Sequence, residues 1–150
     1  MKLIRIETTW NDLEVEKRVD EAIASGSTRI KTSHVKIGPY NGFPGTLRVL
    51  ADRKIKVAIE QGLIPARDQC MCSVCGSSGG KMDYHNEDYS RALQTAPICK
   101  KCHLTLHNRL RSPKCAENWA LLVKSFGNGT KSFEFIDRLD VLSTPEHSRS

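Results

Sequence analysis

The chain has 150 residues, with 23 Lys plus Arg against 17 Asp plus Glu, a net charge of +6, 39% hydrophobic residues and a pI near 9.1. That length suits one compact domain or a small core with appendages. The longest uninterrupted aliphatic stretch is Ala120 to Val123 and no basic-then-apolar leader follows Met1, so neither a membrane span nor a signal peptide is expected, and the protein is expected to be soluble and cytoplasmic.

In chain order, KLIRIETT has the β-branched content of a short strand. TWNDLEVEKRVDEAIASG predicts a helix: Thr9 with Asp12 resembles a weak capping box, Val15, Val19, Ala22 and Ile23 form an apolar stripe, and Gly26 is a stop. From Arg29 to Tyr40, RIKTSHVKIGPY alternates imperfectly and fits a strand or a loop, with turns at Gly38-Pro39 and Asn41-Gly42. From about Thr46 to Gln61 the pattern is helical, with Leu47, Leu50, Ala51, Ile55, Ala58 and Ile59 on one side, Gly62 past the end and Pro65 beyond. This helix leads into CMCSVCG and is expected to pack on the cysteine module. ENWALLVKSFG at 117–127 and FEFIDRLDVL at 133–142 place Trp119, Leu122, Val123 and Phe126, then Phe135, Leu139 and Leu142, at helical spacing. Trp119 and Phe126 are read as core anchors, and STPEHSRS as a polar terminus.

Six cysteines in a chain expected to stay in a reducing compartment point to metal rather than disulfides. Four form two C-x2-C knuckles, Cys72 with Cys75 and Cys99 with Cys102, separated by 23 residues. Each knuckle spans adjacent corners of a tetrahedron, and four thiolates suit a structural zinc ion. Cys70 and Cys115 lack partner spacing and read as ordinary small residues, Cys70 keeping an option as a substitute ligand. In CHLTLH, His103 and His107 stand four apart, so a helix starting at the second knuckle aims both imidazoles at one site. His85 lies in the excursion between the knuckles, where two strands would return it over that helix. The three histidines are therefore read as a shared metal or phosphate site.

Together, CSVCG, HNEDYS and ICKKCHLTLH resemble the zinc-bearing branch of the HNH, or ββα-metal, endonuclease superfamily, including small phage and prophage proteins, over about Ala58 to Arg111. The resemblance implies a β-hairpin and a helix gripping one divalent ion, magnesium or manganese, at a scissile phosphate, with a strand histidine activating water. It puts His103 and His107 on the helix ligands and aligns His85 and Asn86 with the family's paired strand residues. In that register His85 is a ligand and Asn86 takes the place of the general base, although an amide cannot accept a proton from water near neutral pH. In the other register, the one favoured, His85 is the base, and Asp83 or a water completes the metal shell. Gln94 falls where the family has its middle Asn and could orient a histidine.

Two basic stretches could follow phosphates. Arg29, Lys31, Lys36, Arg48, Arg53, Lys54 and Lys56 face only Asp52 within their span, and Lys100, Lys101, Arg109, Arg111 and Lys114 have no acidic neighbour in theirs. Arg109 and Arg111 are the expected backbone contacts. The expected fold is α+β: a basic, mainly helical region at 1–66, suited to DNA recognition, a zinc-bound HNH-like ββα module at 67–112, and C-terminal helices with a polar tail at 113–150. The expected activity is metal-dependent DNA cleavage or nicking, with RNA as the other polymer and a homodimer as the form that cuts both strands. The alternatives are a degenerate zinc module that binds nucleic acid without cutting, and a zinc-stapled protein adaptor.

Overall fold

Helices and one small sheet build an α+β fold in this computed structural model, which describes residues 12–40 and 42–126, the side chain of Phe126 excepted. The elements are α1 (Asp12–Ser25), α2 (Gly45–Glu60), β1 (Asp83–His85), β2 (Ala96–Ile98), α3 (Lys100–Asn108) and α4 (Pro113–Phe126). The strand expected at KLIRIETT, the Thr9 cap, the helix expected at 133–142 and the polar tail lie outside the described residues. Described residues fall into two units, one from 12–65 and 86–95, the other from 66–85 and 96–126. The excursion between the strands, read in sequence as part of the 67–112 module, groups with the first unit, and α4 groups with the second.

In the first unit α1 packs on α2. Val15, Val19 and Ala22 are buried on α1, and Ala51, Ile55, Val57 and Ala58 on α2. Each Val or Ile withdrawn from water contributes about 1.5–3 kcal/mol. The buried stripe of α2 is rotated from the expected one: Leu50 is 47% exposed while Val57 is fully buried. Gly62 ends α2 at φ 71, with Leu63 N–H donating to the Ala58 carbonyl at 2.9 Å, a left-handed cap that a side chain would strain.

Between the two helices, residues 27–39 form no strand and run beside α2. The Thr28 hydroxyl and the Arg29 N–H both donate to the Glu60 carboxylate, at 2.6 and 2.8 Å, and Gln61 Nε2 donates to the Ser27 carbonyl at 3.0 Å. The Thr28 hydroxyl, then the Arg29 amide, hold the Glu60 carboxyl below its usual range. At the far end Gly45 sits so close to Ile37 that a Cβ would overlap the Ile37 carbonyl oxygen. Gly45→Ala is therefore expected to lower stability by roughly 1–3 kcal/mol through overpacking. A urea unfolding midpoint that falls with unchanged slope is the check.

The same packing consumes most of the first basic stretch. Arg53 donates to the Ile30 carbonyl at 3.2 and 3.3 Å, and Lys56 pairs with Asp52 at 2.8 Å. Lys54 pairs with Glu16 and Asp20 at 3.1 and 3.2 Å. Burial opposes the Lys54 charge, but the two carboxylates outweigh it and raise its pKa. Arg48 donates to the Gly38 carbonyl at 2.7 Å and lies over the rings of Tyr40 and Tyr89.

In the second unit β1 pairs antiparallel with β2, Asp83 opposite Ile98 and His85 opposite Ala96. Strands of three residues do not hold themselves together. They are supported by a core that includes Val74, Met82, Ile98, Cys102 and Leu106, each at most 2% exposed. α4 packs on α3 and starts earlier than the apolar periodicity suggests. The Ser112 hydroxyl accepts from Cys115 N–H at 3.2 Å and Pro113 takes the first helical position, where its missing N–H costs nothing. Trp119 is 5% exposed, the core anchor that its spacing predicts. Among the described residues no helix is long and apolar enough to cross a membrane.

Candidate functional site

The knuckles are short local structures that pre-shape the cysteines. After Cys72 the chain turns so that Gly76 N–H donates to the Cys72 carbonyl at 2.9 Å, with Gly76 at φ 71. The Val74 N–H donates to Cys72 Sγ at 3.4 Å. On the other side, the Cys99 carbonyl accepts from His103 N–H at 2.8 Å and opens α3, which carries Cys102 one turn in. The four sulfurs lie within 4.8 Å of one another, and none is in a disulfide. Cys75 Sγ and Cys99 Sγ are 3.9 Å apart. Two thiolates bonded at about 2.3 Å to one tetrahedral zinc would be ~3.8 Å apart, so the donor set and its spacing fit that ion. The Cys102 thiol hydrogen-bonded to Cys72 holds the Cys72 pKa well below the usual thiol range, with backbone amides of Cys99, Cys75 and Val74 adding to it against the opposing effect of burial. The same bond pushes the Cys102 pKa up. Cys70 is not one of the four: its buried thiol donates to the Ala66 carbonyl and lies 3.3 Å from the Tyr84 hydroxyl.

Beside this cluster in the same unit is a second one. His85 Nδ1 lies 3.1 Å from His103 Nε2, and His107 Nε2 lies 2.8 Å from the same atom. All three candidate ligand nitrogens fall within 4.8 Å of one another. Neighbouring nitrogens bonded at about 2.0–2.1 Å to a common ion are ~2.8–3.4 Å apart, so this spacing also fits a metal. The rings are fanned rather than stacked, at 60° to 84°. His103 and His107 share a face because they are four apart on α3, while Cys102 and Leu106 fill the buried face. His85 arrives from the end of β1 and is 1% exposed.

His103 has a second partner, a residue whose place in the sequence suggested only a ligand role. Asp83 Oδ2 lies 3.2 Å from His103 Nδ1. A carboxylate there keeps the proton on Nδ1 and leaves the Nε2 lone pair for a metal, the usual support for a ligating imidazole. Asp83 and His85 are two apart on β1, so they share its face, and D-x-H is the signal that could have paired them. This geometry runs against the favoured register, with His85 as base and Asp83 in the metal shell: His85 sits at a ligand position and Asp83 stands behind His103. Three imidazoles without a carboxylate suit zinc, nickel, copper or iron better than magnesium or manganese, which prefer oxygen; of the two ions that the resemblance implies, manganese tolerates nitrogen better than magnesium.

Asn86 and Gln94, in the other unit, are joined differently from expectation. The Asn86 amide is 3% exposed and donates to the carbonyls of Ala92 at 2.8 Å and Gln94 at 3.3 Å. Asn86 pins its own loop, and the Gln94 atom that takes part is the backbone carbonyl rather than its side-chain amide. Asn86→Ala leaves those carbonyls without this donor and is expected to cost about 1–3 kcal/mol, read as a lowered denaturant midpoint.

Among the second group of cations, Lys100 and Lys101 are exposed on the first turn of α3. Arg111 is exposed and reaches Asn108 at 3.5 Å, and Lys114 pairs loosely with Glu117 at 3.8 Å. Arg109 departs from its expected role as a phosphate contact: it is 3% exposed and donates to the Leu106 carbonyl at 2.7 Å, closing the end of α3. Comparison with protein-family models, curated proteins and solved structures finds no match to the chain.

Proposed function

We propose that the protein is a metal-dependent DNA endonuclease or nickase of HNH type, with zinc in the four-cysteine cluster and a transition-metal ion, manganese first, in the histidine triad. The observation that carries this reading is the convergence of His85 Nδ1, His103 Nε2 and His107 Nε2 with Asp83 behind His103. The resemblance of CSVCG, HNEDYS and ICKKCHLTLH to that superfamily supports it. A divalent ion in such a site supplies positive charge to the phosphate and to the leaving oxygen, and acidifies water.

The chain's own residues have separate tasks. His85, His103 and His107 hold the ion, and Asp83 fixes the tautomer and ring direction of His103. Lys100 and Lys101 add charge for a phosphodiester at the start of α3. Asn86 takes no proton, because an amide is not a base at neutral pH and its N–H groups are committed to loop carbonyls. Turnover slower than that of a site with a histidine base follows. The commitment of Asn86 is also the observation that favours the second reading, a module that binds nucleic acid without cutting it.

Supercoiled plasmid incubated with zinc-loaded protein and manganese, with and without EDTA, tests the proposal. Nicked or linear product that disappears with EDTA and with His107→Ala is the expected result. Intact plasmid under all conditions, with binding retained, selects the second reading. An RNA duplex cut in preference to DNA would change the polymer and keep the chemistry.

A further inference from the structure

The segment 27–39 is a strap staked at both ends. Near its start, Thr28 and the Arg29 amide bind Glu60, Gln61 holds the Ser27 carbonyl and Arg53 holds the Ile30 carbonyl. Near its end, Arg48 holds the Gly38 carbonyl and Gly45 admits the Ile37 carbonyl at the start of α2. Between the stakes lie Lys31, Thr32, Ser33, His34, Val35 and Lys36, all exposed except Ser33, which is half-buried and accepts from Val35 N–H at 3.2 Å.

Its charge is one-sided. No Asp or Glu occurs from 29 to 39, and Lys31 and Lys36 are exposed there, whereas Arg48, Arg53, Lys54 and Lys56 of the same basic stretch are engaged within the unit. A basic segment with pinned ends presents its charge at a smaller ordering cost than a free tail would. From 31 to 36 its one ring is that of His34 and it carries no Phe, Tyr or Trp, so it lacks the run of aromatic rings on which successive unpaired bases stack, the usual device for single strands. We propose that this strap is a contact for the phosphodiester backbone of duplex DNA, with Lys31 and Lys36 as the ions that displace counterions. The proposal rests on the nucleic-acid reading above and names a binding surface that the histidine site does not supply.

The test is the salt dependence of binding to a short DNA duplex, read by fluorescence anisotropy with zinc-loaded full-length protein and no added manganese. Removing one lysine–phosphate pairing lowers the log-log slope by about 0.9, so Lys31→Ala with Lys36→Ala is expected to lower it by about 1.8. Lys17→Ala with Lys124→Ala, two exposed lysines elsewhere, is expected to leave it unchanged. The glutamine pair Lys31→Gln with Lys36→Gln repeats the experiment with polar, uncharged side chains, so that a fault of folding in one pair is not mistaken for the removal of a phosphate partner. An unchanged slope in both strap pairs, the same decrease in the control pair, a decrease confined to single-stranded DNA or RNA, or no duplex binding by the unaltered protein would each overturn the proposal. Binding is measured apart from cleavage, so an inactive histidine site would leave this result standing, and a negative result here would leave cleavage standing.

Discussion

Stripping the metal from the four-cysteine cluster, or replacing Cys102 with Ser, is expected to unfold the unit that contains β1, β2, α3 and α4. Two strands of three residues and a helix of nine have little stability of their own. Cys102 is 1% exposed and ends up in the core beside the residues that support the sheet. Apparent binding free energies of structural zinc are about 10–16 kcal/mol near pH 7, comparable to or larger than the whole stability of a small domain. The expected readout is loss of cooperative thermal unfolding and a decrease in the near-ultraviolet aromatic signal, to which Trp119 contributes, on chelation, with recovery when zinc is restored. A chelated protein that keeps the same melting transition would mean that the cluster does not hold the fold.

Replacing His103 or His107 with Ala is expected to reduce manganese-dependent cleavage at least about 100-fold while leaving the zinc-dependent fold in place. Each change removes one of three ligands, and about 2.7 kcal/mol of lost transition-state stabilisation corresponds to that factor. Both side chains are half-buried, so truncation leaves a modest cavity rather than a broken core. Asp83→Asn retains the volume but not the charge behind His103 and is expected to weaken manganese binding about 10–100-fold. The rate should then recover in part at high manganese, a response that His107→Ala should not show. Equal loss in all three variants together with a lowered melting temperature would indicate a structural cluster.

Local spacing made much of the site legible. Two C-x2-C knuckles and a histidine pair four apart are patterns whose geometry is fixed by a turn and by one helix face, so Cys72, Cys75, Cys99, Cys102, His103 and His107 could be assembled from sequence alone. His85 required a return across two strands, and the register Asp83 to Ile98 through His85 to Ala96 makes that return. What sequence concealed depends on partners distant along the chain. Charge counted from Arg29 to Lys56 overlooks Glu16 and Asp20, which α1 brings to Lys54. Arg109 looks like a surface cation in sequence, yet only 3% of it is exposed. The roles of Asn86 and Gln94 were set by a loop closing on itself, which no periodicity reports. The start of α4 at Ser112-Pro113 was overlooked, because the reading from 117 followed only the apolar stripe.

Two metal centres of different donor chemistry in one unit are what the proposed activity requires, and cobalt titration addresses them directly. Cobalt bound to four thiolates gives intense charge-transfer and visible bands, whereas cobalt on imidazoles gives weaker ones. Two ions per chain in the unaltered protein, falling to one in His107→Ala with the thiolate bands intact, is the predicted result. A single thiolate-bound ion in both proteins would contradict it, leaving the three histidines as a cluster without a metal and the proposed cleavage without its centre.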